Sequence, residues 1–359
     1  MTQRENQILN LIAANPMISQ QELADTLNIT RSSVAVHISN LLKKGFIAGK
    51  GYVLRTGAYA VVVGGVNVDI GGRSFAHLVA EDSNPGKVQS SLGGVGRNIA
   101  HNMALLGLDV KMLTAMGNDV YGERIMKSCI ELDIDASHAL RLSDCATSTY
   151  LYIADEKGEM ALAISDMEVC ERITPAYLSA NQQILQNAQV IVADTNIPTE
   201  TLVYLAENCS APIFCDPVST IKAEKLRPIL NKIHTLKPNR LEAELLSGVK
   251  IRSKADAEAA AKVLLEKGVK RVFMSMGADG MYAATEEAQL WMPNIPGNLV
   301  NTTGCGDSAM AALVWAWMNG LELEETVLAG LAAGSITMES PETINAAMSA
   351  TALKLRMSK

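Results

Sequence analysis

Tyr59-Ala60-Val61-Val62-Val63-Gly64-Gly65 is an unbroken apolar run closed by two glycines. A strand with no polar face must be covered on both sides, which places it inside a parallel sheet. Similar runs recur at 110–115, 190–193, 212–215, 233–236 and 272–275. Amphipathic helical patterns lie between several of them, at 97–106, 121–132, 199–207, 240–246 and 255–267. Strands alternating with helices specify an α/β fold: a mostly parallel sheet with helices on both faces. The tail, 307–357, reads as helix alone. Two β-prone stretches, about 69–92 and 146–165, break the rhythm, with Thr149-Tyr150-Leu151-Tyr152-Ile153 the clearest strand. They are expected to form a small second sheet over the ligand-binding edge.

Residues 1–56 follow another pattern. Ile8, Leu9, Leu11 and Ile12 make one helical stripe, which Pro16 ends. Ser19 with Glu22 three residues on is a capping box. Thr30 can cap a third helix over 31–44, with Val34, Ile38, Leu41 and Leu42 facing inward. Gly45, Gly49 and Gly51 then punctuate Phe46-Ile47-Ala48 and Tyr52-Val53-Leu54, a plausible β-ribbon. Arg55-Thr56-Gly57 reads as a linker, giving an N-terminal unit 1–56 and a larger one 57–359.

Charge separates the two units. The whole chain carries −7, but 1–56 holds Arg4, Arg31, Lys43, Lys44, Lys50 and Arg55 against only Glu5, Glu22 and Asp25. A small basic module is joined to an acidic one. Its three helices and ribbon resemble a winged helix-turn-helix. The resemblance implies that Arg31, Ser32, Ser33 and His37 face DNA, with Lys43, Lys44 and Lys50 near phosphates. A module used for dimerisation or regulation is the plainer alternative. One copy with so little charge would bind DNA weakly, so a dimer would be needed.

The composition is 48% hydrophobic but only 4% aromatic, so the core must be aliphatic and Met-rich. The six cysteines, Cys129, Cys145, Cys170, Cys209, Cys215 and Cys305, form no C-x-x-C pair. They read as reduced thiols of a cytoplasmic protein. The N-terminus has no apolar signal core and no run is long enough to span a bilayer, so no membrane association is expected.

Three motifs carry chemistry. Asn301-Thr302-Thr303-Gly304-Cys305-Gly306-Asp307 runs into an apolar helix. A glycine turn at a helix start points backbone N–H groups at one spot, an anion site. An aspartate there can take a proton from an attacking hydroxyl. Gly93-Gly94-Val95-Gly96-Arg97-Asn98 is a second glycine cluster opening a helix, where a substrate can approach the backbone closely. Asn67 and Asp69 follow the first strand, at its carboxyl end, where ligands of open α/β sheets bind. Two residues apart, they point the same way and could clamp neighbouring hydroxyls.

In their order along the chain, these motifs resemble the ribokinase-like carbohydrate and nucleoside kinases, the PfkB family, over about 59–357. The resemblance implies a ribokinase-like, Rossmann-type α/β sheet with a small β lid that usually serves as a homodimer surface. It implies Asp307 as base and the amides of Gly304, Cys305 and Gly306 as anion hole. Asn67, Asp69, Gly93, Gly94 and Asn98 would hold the substrate. Asn239 and Glu242, an Asn-x-x-Glu motif, would serve ATP and, indirectly, Mg²⁺. Ser275, Gly277, Gly280 and Gly306 would line the ATP site. Many relatives carry Asp where this chain has Asn301, which argues against activation by K⁺.

Details of the 67–73, 93–100 and 147–151 stretches look most like pseudouridine kinases, a group in which fusion to a helix-turn-helix also occurs. Thr149 and Tyr150 are candidates for a base pocket, or for sheet packing. The implied reaction is transfer of the ATP γ-phosphate to the 5′-hydroxyl of pseudouridine. Inosine, another ribonucleoside or a sugar are alternatives, as is a nucleoside-sensing transcription regulator.

Overall fold

A computed structural model describes residues 2–15, 18–44, 46–47 and 58–358. The chain divides into two compact units at Ala58/Tyr59. In the N-terminal unit, helices Gln3–Ala14, Gln20–Leu27 and Arg31–Lys43 pack Ile8, Ile12, Leu23, Val34, Ile38 and Leu41 together. Ser19 and Glu22 make the anticipated capping box, and Thr30 accepts from the Ser33 amide. Leu42, expected inside, is exposed. Lys44 is tied to buried Glu5 at 2.8 Å, so its charge is partly spent within the unit rather than free for phosphates. The ribbon expected beyond Ile47, Lys50 and the linker lie outside the described residues.

The larger unit holds strands β1 (Tyr59–Val63), β2 (Asn67–Ser74), β3 (Gly86–Gly93), β4 (Asp109–Leu113), β5 (Ala115–Gly117), β6 (Ile134–Asp135), β7 (Leu140–Leu142) and β8 (Thr149–Ala154). They continue as β9 (Met160–Asp166), β10 (Val190–Asp194), β11 (Ile213–Asp216), β12 (Thr235–Leu236), β13 (Arg271–Ser275), β14 (Met281–Thr285) and β15 (Gln289–Met292). The main sheet runs β15-β14-β13-β12-β11-β10-β1-β4-β6. It is parallel from β13 to β6, with β14 and β15 added antiparallel at one edge.

The apolar first strand is buried as its pattern requires. Ala60 and Val62 face one core, while Tyr59, Val61 and Val63 face the other. The two interrupting stretches form a separate sheet, β3-β2-β8-β9, as anticipated for a lid. The tail is helical: Cys305–Met318, Leu323–Thr337 and Ala350–Met357. β14 and β15 escaped the sequence reading, and the 233–236 strand shrinks to two residues. Among the described residues no helix is long and apolar enough to cross a membrane.

Candidate active site

The carboxyl ends of the parallel strands and two glycine-led helices converge on one cleft. The Cys305–Met318 helix starts at Gly304, whose φ of +82° lies in the left-handed region. Any Cβ there would also overlap the Thr343 carbonyl, so only glycine makes this turn. The helix's first-turn amides lack intrahelical acceptors. Cys305 donates its amide to the Thr302 carbonyl at 3.3 Å, so it contributes less than expected to an anion hole, and Gly306 correspondingly more. Asn301 donates to the Pro341 carbonyl and accepts from the Thr303 amide, bracing the same turn.

Asp307 sits in the first turn, partly exposed. Asn98 donates to its Oδ2 at 2.8 Å, across 209 residues of sequence. Burial and the nearby Asp216 carboxylate raise the Asp307 pKa to about 7, against the opposing effects of Asn98 and Lys237. A carboxylate near that value is basic enough to accept a proton at neutral pH. Asn98 lies on the Val95–Leu105 helix, which begins at Gly94 with φ +97°. Its Oδ1 is buried without a hydrogen-bond partner among the described residues, an acceptor left for a ligand.

Asn67 donates to Asp69 at 2.7 Å. Asn67 pairs with Gly93 in the lid register, and a Cβ at Gly93 would overlap the Asp69 carboxylate. The structure therefore brings Asn67, Asp69, Gly93, Gly94, Asn98 and Asp307 to one region. Thr149 is set apart. It pairs with Val68, whereas Tyr150 pairs with Asp69. Side chains alternate across a sheet, so Tyr150 and Tyr152, not Thr149, share the Asp69 face.

The residues expected on the nucleotide side also come together. A cavity of about 1190 Å³ is lined by Lys237, Asn239, Ser275, Gly277, Gly280, Cys305 and Gly306, among others. Asn239 and Glu242 form a capping box: the Glu242 amide donates to Asn239 Oδ1, and the Asn239 amide to Glu242 Oε2. The Asn-x-x-Glu motif is thus first a device that fixes the start of the Arg240–Ser247 helix. Ser275 donates its amide to the Pro238 carbonyl, locking the 275–280 turn to the residue before Asn239. Burial raises the Glu242 pKa, and Asp216 adds to the effect. Among the described residues no group of three or more His, Cys, Asp or Glu could hold a metal ion. The Glu242 and Asp216 carboxylates, close enough to act on one another, are oxygen donors of the kind Mg²⁺ takes alongside waters and substrate phosphates.

Three polar residues of the cleft floor were not singled out in the sequence. Asp194 is fully buried at the end of β10. Its Oδ2 accepts from the amides of Gly65 and Gly96, and its Oδ1 from Asn196. Asp216 ends β11 and pairs with Lys237 at 3.1 Å. The available signal was an apolar run ending in Asp, 190–194 and 213–216, a charge at the ligand-binding edge of a buried strand.

In the basic unit, Arg31 and Ser32 are exposed and Ser33 half-buried, but the Nδ1 of His37 is buried without a partner among the described residues. Val36 and Ser39 are the more exposed positions one turn on.

A mostly parallel sheet with a β lid, an acid at a glycine-led helix start and an adjoining large cavity fit a small-molecule kinase with an alcohol acceptor. The chain belongs to the pfkB family of carbohydrate kinases, whose sequence profile matches residues 58–350. Kinases of this family use ATP with Mg²⁺. Residues 1–48 match the winged helix-turn-helix DNA-binding family. The chain is 38% identical to the uncharacterized sugar kinase YeiI of Escherichia coli (strain K12), covering 98% of this chain and 97% of that protein. It is 40% identical to the pseudouridine kinase of the same strain, over 81% of this chain and 94% of that one. The carbohydrate kinase of Agrobacterium tumefaciens superposes with a TM-score of 0.75 at 25% identity, over 84% of this chain and 97% of that one.

Proposed function

We propose that this protein is a pseudouridine kinase, moving the γ-phosphate of ATP to the nucleoside 5′-hydroxyl with Asp307 as base. The observation that carries the reading is the 2.8 Å contact between Asn98 and Asp307. It brings a substrate-side glycine motif to a carboxylate at the mouth of the nucleotide cavity. The hydroxyl oxygen attacks phosphorus and its proton passes to Asp307. Asn67, Asp69 and the 93–94 backbone hold the ribose, and Asn98 orients the base. The Gly306 amide and helix dipole offset charge on the migrating group. Bound Mg²⁺ would neutralise phosphate charge, with Glu242 acting on it through water. The neutral Asn301 leaves little attraction for K⁺. The identity to an Escherichia coli pseudouridine kinase supports the substrate, as do Tyr150 and Tyr152 on the Asp69 face, where a base could stack.

An ADP-release screen over pseudouridine, uridine, cytidine, inosine, adenosine and ribose tests this. Pseudouridine is expected to give the highest kcat/KM. A higher value for inosine or ribose would move the assignment to that substrate. No turnover with any of them would leave a nucleoside-sensing regulator.

The helix-turn-helix match favours a second role in DNA binding. Arg31, Ser32 and Ser33 on the third helix would meet bases, with Lys43 near phosphate and His37 contributing less than its position implied. The reading includes a homodimer, in which the exposed lid face of Val88, Leu151, Ile153, Leu162 and Ile164 is covered. Family kinases are typically cytoplasmic, and that is the location assigned. Electrophoretic shifts with DNA from upstream of its own operon are expected at low salt and to fade steeply as salt rises. Lys43→Ala is expected to reduce the salt slope by about 1. No shift at low salt, with or without nucleoside, would end this reading.

A further inference from the structure

The cleft floor holds a cation that the roles above do not use. Lys237 is only 5% exposed, yet it lines the nucleotide cavity. Its Nζ pairs with Asp216 Oδ2 at 3.1 Å, its one ion-pair partner among the described residues. An ammonium has three donors, and leaving two of them buried and unused is costly. A Cβ built on Gly306 would stand 3.4 Å from this Nζ, so the ammonium lies against the helix start that carries Asp307. Burial disfavours its charge, but Asp216, Glu242 and Asp307 outweigh burial and raise its pKa.

Asp216 is itself fixed. The Val218 amide donates to its Oδ1 at 2.9 Å. Val218 has a φ of +62°, an outlier for a β-branched residue. Such strain persists only where the surroundings impose it, and it gathers at functional sites. One carboxylate oxygen is thereby committed to backbone and the other to Lys237.

We propose that Lys237 is a further catalytic residue, whose two free N–H donors bind the non-bridging oxygens of the transferring phosphoryl group. This rests on the kinase reading above. As the acceptor oxygen bonds to phosphorus, the bond to the ADP oxygen breaks and its electron pair stays on ADP. The hydroxyl proton goes to Asp307, and Lys237 keeps its own proton throughout. Asp216, Lys237 and Asp194 all act on the Asp307 charge from neighbouring strands and turns, and Asn98 from the facing helix. Removing the cation should therefore raise the Asp307 pKa, and removing the Asp216 charge should lower it.

The test uses the full chain with Lys237→Met and Asp216→Asn. Lys237→Met is expected to lower kcat by about 10²–10³-fold, the weight of one preorganised donor. Its acidic pH limb should move up, whereas that of Asp216→Asn should move down. By calorimetry, the wild type is expected to bind ATP more tightly than ADP, with Lys237→Met losing that preference and keeping its ADP affinity. A kcat within about threefold of wild type, or an unchanged ATP/ADP preference, overturns the proposal. If Lys237→Met does not melt cooperatively, an Asp216→Asn limb that fails to move down overturns it instead. A wild type inactive on every nucleoside and sugar would refute the kinase reading, while the ATP/ADP comparison would still decide the role of Lys237.

Discussion

Asp307→Asn is expected to lower kcat by about 10²–10⁴-fold, the usual weight of a positioned base, with ATP binding largely intact. The amide can still bond Asn98, but it cannot take a proton. Wild-type activity carries a pH signature of the same group. With a pKa of about 7, the ionised base is lost as pH falls. Turnover should drop about tenfold per unit below 7 and level off above it. The asparagine variant should show no such limb. Stability runs the other way. The folded pKa lies above the unfolded value of 3.8, so the folded state binds the proton more tightly. That stability is fully present below about pH 4 and is lost as pH rises through 7. Asp307→Asn should therefore melt no lower than wild type at neutral pH, which separates a missing base from a misfolded chain. A variant with a tenth or more of wild-type kcat would remove Asp307 from the mechanism.

Asp194→Ala is expected to be the most damaging substitution away from the reacting atoms. Three amides, from Gly65, Gly96 and Asn196, converge on one buried carboxylate. Orphaning each costs about 1–3 kcal/mol, so a loss of roughly 3–5 kcal/mol is expected after relaxation. Asn in its place still brings an NH₂ against a donor, so Asp194→Asn should lie between alanine and wild type. Gly96 lies in the first turn of the helix that carries Asn98, so both variants should also lose turnover beyond their loss of fold. Denaturant midpoints and kcat read together check this. An asparagine variant as stable as wild type would mean that the carboxylate carries a proton and already behaves as a donor.

Much of this was legible in the chain. Glycine-led helix starts leave dense local signatures, so the 93–98 and 303–307 stretches could be recognised without knowing the strand order. Asp194, Asp216 and Lys237 are single polar residues at the ends of apolar runs. Their meaning appears only when β10, β11 and β12 lie side by side. Thr149 and Tyr150 could not be told apart in the sequence, because one residue of register turns a strand side chain to the other face. β12 was overread because the preceding segment, Glu224–Lys232, turns as a 3₁₀ helix around Pro228. The edge strands β14 and β15 were missed because they are short and antiparallel, outside the alternation that marked the rest.

The Asn98–Asp307 hydrogen bond also sets a timetable for biosynthesis. Its partners emerge 209 residues apart, which at about 5–20 residues per second is roughly 10–40 s of translation. Throughout that interval the nascent chain carries Asn98 without the carboxylate it bonds. With Asp307 as the proposed base, premature termination anywhere before codon 307 is expected to yield fragments without residual catalysis, whatever portion of the sheet they had assembled.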